Sequence, residues 1–313
     1  MIEDLLICLK AVAPLFIYML IGVLVRRTGI IASEDVRKLN HFAFVVFFPC
    51  LMFENVYGAD IGKSFNVKLI GYGLASILTI YFLSVLLTVK MKDRPAMRGA
   101  VIQAVYRSNF VIMGLPVAMN IYGRGNLSIT AMMIAVIVPL FNILAVITLE
   151  YFRSGRPNVR VMTFGIIKNP LIIGTLTGIA VTISGYEIPQ IPEDIISDMG
   201  SIATPLALII LGASFEFSSV GRMKRELIIC VLARLVIVPG IFVSAAAMLG
   251  FEDIELISLL AMFAAPAAIS SYTMAEEMGS DSELTGNVVI FSSMSASFTM
   301  FLWLFIFKTL GLF

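Results

Sequence analysis

The residues that could do chemistry are few, and they stand inside apolar sequence. Arg107, Ser108 and Asn109 interrupt one hydrophobic stretch, Asn142 another, Arg234 a third, and Ser270 and Ser271 a fourth. An ionisable group within a membrane span is a functional candidate by default, because a charge in hydrocarbon is costly. Arg107 lies about eight residues inside its stretch, so a long side chain could either snorkel to the interface or serve a central site; Arg234 stands similarly. Asn109 is too short to snorkel and should point into a bundle. Asn142 fits either an interhelical hydrogen bond or a binding role. Ser270 and Ser271 either bond their own helix backbone or line a site. No catalytic constellation accompanies these groups. There is a single histidine, His41, at the edge of a stretch. Glu54, Glu150 and Glu216 stand near the ends of stretches, so no central acidic pair appears. Cys8, Cys50 and Cys230 lack metal-ligand or redox spacing. An enzyme, a cofactor and a metal centre are therefore not expected.

The elements that must position these residues are transmembrane helices. Only 14% of the 313 residues are charged, against about a quarter in soluble domains, and the mean hydropathy is +0.98. Ten stretches are long and apolar enough to cross a bilayer: 5–25, 36–56, 67–90, 98–122, 127–151, 168–186, 199–217, 225–250, 254–277 and 283–308. In lipid each must be helical, or irregular only where protein covers it. The fold expected is an all-α integral membrane protein. The first apolar run is preceded by Glu3 and Asp4 rather than by a basic segment, so no cleavable signal peptide is read. Alternate loops hold fifteen and five Lys or Arg, with Arg107 and Arg234 inside spans. The positive-inside rule then puts both termini outside the cytoplasm, with the loop at 276–283 dissenting by its acidic residues. The formal net charge of +1 gives no reason to expect a nucleic-acid partner.

The two halves of the chain echo each other. PLFIYMLIGVLVRRTG (14–29) and PLIIGTLTGIAVTISG (170–185) align at a constant offset of 156, matching Pro14 with Pro170, Gly22 with Gly178 and Gly29 with Gly185. The fourth and ninth stretches each carry a proline among small residues, in MGLPVAM (113–119) and FAAPAAI (263–269). Five spans per repeat make the copies antiparallel, the layout of many secondary transporters. The expected organisation is a first five-helix repeat at 1–152, a cytoplasmic linker at 153–167 and an inverted second repeat at 168–313. Helices are expected to break at Gly114–Pro116 and at Pro266, exposing half-helix N-termini that favour anions.

RSNFVIMGLPVAMNIYG (107–123) resembles the fourth-span signature of the auxin efflux carrier family. APLFIYMLIGVLVRRTGII, LNHFAFVVFFPCLMF, KNPLIIGTLTGI, LARLVIVPG and AAPAAISSYTMAEEMG extend the likeness over nearly the whole chain. The resemblance implies ten spans in two inverted five-helix repeats and crossed broken helices in the fourth and ninth spans. It also implies a central site for a small organic anion and elevator-like alternating access in the cytoplasmic membrane. Carried over by position, Asn109 helps hold the substrate carboxylate, and Gly114, Pro116 and Pro266 form the crossover. Asn142 stands where plant members have an aromatic group, and Ala267 where they place a polar residue. The long hydrophilic loop of many plant members is missing. These departures suggest a bacterial-type member, similar to malate or malonate permeases, although an auxin-like acid stays within the class. Protons or sodium could accompany the substrate, and a homodimer is implied by the family alone. A sodium-coupled symporter of the bile-acid type and a small-anion channel stay open as alternatives.

Overall fold

The computed structural model describes residues 2–57, 66–122, 128–153 and 159–312. Lys63, Arg124 and Arg156, three of the loop cations counted above, and residues 154–158 of the linker between the halves lie outside them. Among the described residues the chain is helical, with no strand beyond one isolated bridge. In order come α1 (Ile2–Arg27), α2 (Ser33–Phe42), a π-turn (Ala43–Phe47) leading into α3 (Phe48–Glu54), α4 (Val67–Leu87), α5 (Pro95–Tyr106), α6 (Phe110–Tyr122), α7 (Ser128–Arg153) and α8 (Val159–Ile167). The second half continues with α9 (Pro170–Ser184), α10 (Gln190–Ser214), α11 (Phe217–Arg222) and α12 (Lys224–Leu232). A π-turn (Ala233–Ile237) then leads into α13 (Val238–Met248), followed by α14 (Asp253–Ala264), α15 (Ser270–Glu277) and α16 (Ser282–Thr309). Six helical segments among the described residues are each long and apolar enough to cross a membrane. Their outward faces keep large apolar side chains exposed, such as Leu86, Phe82, Ile241 and Phe298, as a lipid solvent requires.

Helix boundaries follow local chemistry. Asn66 caps α4 by accepting from the Leu69 amide at 3.0 Å, and Asp281 caps α16 by accepting from Leu284 at 2.9 Å. Asn169 caps α9, Pro170 opens it, and Gly185 closes it at a φ of 66°. Prolines inside spans leave freed carbonyls. Pro239 removes the amide that would serve the Leu235 carbonyl, and Trp303 of α16 supplies the missing donor, with Nε1 to oxygen at 2.9 Å. Trp303→Phe keeps the ring and strands that carbonyl. We expect it to lower stability by about 1–3 kcal/mol, read as a fall in melting temperature in detergent, and unchanged melting would contradict the assignment.

Helices approach most closely where glycine replaces a side chain. A Cβ on Gly22 of α1 would lie 2.0 Å from the Ile209 carbonyl oxygen of α10, and one on Gly178 of α9 would lie 2.8 Å from that of Phe53 in α3. Gly22 and Gly178 are 156 positions apart, as are Phe53 and Ile209, so one contact is repeated in the other half. Pro49 and Pro205 keep the same spacing. α14 is buried on every side from Leu256 to Ala264 and forms the centre of the bundle.

Candidate functional site: a crossover beside a buried cation

Two helices break at the centre. Proline drives its preceding residue to extended geometry, and Ala265, before Pro266, has φ −64° and ψ 150°, which ends α14 at Ala264. The other break lies at Arg107–Asn109, where α5 stops and Arg107 turns extended at φ −89°, ψ 114°. This corrects the expected break at Gly114–Pro116. Pro116 is half-buried within α6, whose helix runs on through it, and of Gly114 only the helical backbone is described. A proline costs its helix one hydrogen bond, which a bundle tolerates. Three unwound residues need several new partners, and they have them only opposite Pro266.

Those partners are mutual. Ser108 and Ala267 form an antiparallel bridge, the Asn109 amide donates to the Pro266 carbonyl at 2.8 Å, and the Ala268 amide reaches the Arg107 carbonyl at 3.4 Å. Pro266 has no amide to offer, so it sits where only its carbonyl is used. The Ala267 amide donates to Ser292 Oγ of α16 at 3.1 Å. Each break thus supplies backbone partners to the other inside a buried core.

Arg107 is 2% exposed. Its Nη2 donates to Asn142 Oδ1 at 2.6 Å and to Ser270 Oγ at 2.8 Å, while Nη1 meets Met274 Sδ at 2.8 Å. Asn142 is held in turn by donating to Met52 Sδ at 2.6 Å. None of these partners carries a negative charge. Beside Arg107, Asn109 Nδ2 and Ser108 Oγ are buried without a hydrogen-bond partner. Both residues line a cavity with Arg107, the first turn of α6 (Phe110–Ile112), Asn142, Ser270, Thr204 and the apolar side chains of α3. A buried cation and an unpaired donor facing one cavity suit an anion's oxygens. The helix N-terminus of α6 adds the same sign of potential. The cavity holds about 60 Å³, space for a water or two at roughly 30 Å³ each. Arg107, Ser108, Asn109 and Asn142, which line it, are all buried.

The sequence-predicted residues divide around this cavity. Arg107, Asn109, Asn142 and Ser270 meet in it; Pro266 and Ala267 lie outside its lining and touch the site through backbone bonds, Pro266 to Asn109 and Ala267 to Ser292. Ser271 is fully buried, unpartnered and outside its lining. Arg234 also lies outside it and spends its nitrogens on backbone carbonyls. His41 is largely exposed and pairs through Nδ1 with Glu277 Oε2 at 2.8 Å, away from the cavity. Ser108, noted in the sequence only as a polar neighbour of Arg107 and Asn109, lines the cavity with them. Thr204 also lines it and Met274 contacts Arg107, and nothing in the sequence singled out either. A second, open cavity of about 450 Å³ lies where Arg26, Arg37 and Arg222 face Glu216, Glu276 and Glu283, with Tyr272 and Ser214 hydrogen-bonded to each other in its lining.

A multi-pass helical bundle with two broken helices crossing beside a buried polar cavity is the build of a membrane transport protein. The chain belongs to the membrane transport protein family, the auxin efflux carrier type: the family's profile matches residues 7–163 and 156–304. An uncharacterized transporter of Methanothermobacter thermautotrophicus is 22% identical over 309 residues, covering 94% of this chain and 96% of that one.

Proposed function

We propose that the protein carries a small organic anion, a mono- or dicarboxylate such as malate, malonate or an auxin-like acid, across the cytoplasmic membrane. The carrying observation is Arg107, a buried guanidinium with only neutral partners, beside the unpaired Asn109 amide in the crossover cavity. A carboxylate there offsets the buried charge and fills the free donor. Movement is secondary active or driven by the anion's own gradient. It proceeds by elevator-type alternating access in which the crossover shifts against α1, α3, α9 and α10. The contact repeated between the two halves favours a carrier over a channel. The contact repeated between Gly22–Ile209 and Gly178–Phe53 supports two inverted five-helix repeats, 1–152 and 168–313, joined by a cytoplasmic linker. Both termini then lie outside a bacterial-type plasma membrane, and a homodimer is the assembly we expect.

Counterflow of labelled malate, malonate and a monocarboxylate in proteoliposomes tests this. Wild type should exchange at least one acid saturably. Asn109→Ala removes a donor to a charged acceptor, about 1.5–3 kcal/mol, so KM should rise about 10- to 100-fold while melting changes little. Equal exchange by folded Asn109→Ala would refute the site, and no exchange of any acid by wild type would refute the substrate class.

A further inference from the structure

We propose that Arg234 is a positioning residue for the anion site, a tethered cation that seats the C-terminal ends of both broken helices and thereby fixes the crossover. The last carbonyls of a helix have no intrahelical donor and concentrate partial negative charge. Here two such ends, of α5 and α14, meet deep in the bundle. The Arg234 guanidinium serves both. Nε donates to the Ala265 carbonyl at 2.9 Å. Nη1 reaches those of Val105 and Tyr106 at 3.1 and 3.2 Å. Nη2 reaches those of Met262 and Phe263 at 2.7 and 2.9 Å. A guanidinium has five N–H donors in a planar fork, and five carbonyls take them. Arg234 is 1% exposed, and none of these partners is a carboxylate. Its charge is balanced by two helix ends.

The clamp ends at Tyr106, the last residue of α5, and at Ala265, the first extended residue after α14. Tyr106 directly precedes Arg107, and Ala265 directly precedes Pro266, so the strands at 107–109 and 266–268 hang from the clamped carbonyls. Arg234 itself projects from the π-turn Ala233–Ile237, a widened turn of a kind found at functional positions. Lysine cannot replace it: an ammonium has three donors on one atom and cannot bridge two helix ends in a plane. The transport arm of the proposal rests on the anion-site reading above; the clamp itself does not.

The test uses purified full-length protein in detergent and in proteoliposomes. Arg234→Ala leaves a carbonyl-lined seat for a guanidinium ion. Its melting temperature should fall well below wild type, and millimolar guanidinium should raise it again. Wild type should not gain under the same conditions, and matched sodium or potassium chloride should do less. Carboxylate exchange by Arg234→Ala should show KM raised about tenfold or more, recovering with guanidinium. Arg234→Lys is the second variant, for the case that the alanine form does not fold. It keeps the charge without the fork and should show raised KM in folded protein. The clamp is overturned if guanidinium raises the melting of Arg234→Ala no more than that of wild type, or if potassium serves equally. Its positioning role is overturned if folded Arg234→Lys and Arg234→Ala keep wild-type KM. Should wild type exchange no carboxylate, the anion reading fails, and guanidinium-dependent melting of Arg234→Ala still decides the clamp.

Discussion

Arg107→Gln is expected to abolish carboxylate binding while leaving the empty protein as stable as wild type, or more so. The charge on Arg107 is buried against an amide oxygen, a hydroxyl and a thioether. Neutral dipoles recover only part of the hydration a cation loses in the core, so the empty site carries an unfavourable charge that an anion relieves. Glutamine retains an amide able to donate to Asn142 and Ser270 and removes the charge. A buried ion pair broken at one partner loses about 3–5 kcal/mol, which is about two to three and a half orders of magnitude in affinity. Arg107→Lys keeps the charge and loses the planar fork, so its affinity should fall between the two. Separation of the two readouts is what identifies a binding role: melting without ligand stays level while the ligand-dependent rise disappears. A purely structural arginine would do the opposite, with Arg107→Gln melting early and its folded fraction binding normally.

The largest effect on folding is expected from bulk at the glycine contacts of α1 and α10. A Cβ on Gly22 or on Gly212 would sit 2.0 Å from a backbone carbonyl oxygen, that of Ile209 or of Met19. Backbone cannot rotate away as a side chain can, so the helices must part along the seam. Transmembrane interfaces depend on such close packing because lipid supplies no hydrophobic drive between helices. Gly22→Leu and Gly212→Leu should each cost more than about 3 kcal/mol, seen as loss of monodisperse protein on extraction or a steep fall in melting temperature. Gly71→Ala is the control. It too lies within a helix, with nothing within 4 Å of its added Cβ, and it should be neutral or slightly stabilising. Normal melting of both leucine variants would mean that α1 and α10 do not pack as described.

How much of this was legible in the sequence depends on the kind of signal. Charge content and apolar runs sufficed for a helical membrane protein. The break at Pro266 was legible as a proline among small residues in mid-span, although Pro116, Pro139 and Pro205 sit inside continuous helices, so proline alone does not decide a break. The break at Arg107–Asn109 was not: no residue there forbids helix, and the unwinding is stabilised by backbone groups of residues 266–268, about 159 positions away. Pro116 drew attention as the nearest proline, yet α6 accommodates it. The spacing of 156 was legible in Pro14 and Pro170, and Pro49 with Pro205 extends it. Asn109 was legible as a polar residue too short to reach water; Arg107 was legible as a charge within a span that could still snorkel, and its burial at 2% exposure came only from the structure. Arg234 was visible only as a charge in a span, since nothing in sequence tells which carbonyls a guanidinium will meet.

The central claim is that an uncompensated cation at the crossover receives a carboxylate. The most direct test is thermal unfolding of wild type and Arg107→Gln in detergent, titrated with a panel of carboxylates and with the matching primary amides. Binding to the native state raises melting by mass action. The predicted result is a saturable rise with at least one acid for wild type, none with its amide, and none with either for Arg107→Gln. A wild type that responds equally to acid and amide, or an Arg107→Gln that responds as wild type does, would contradict the account.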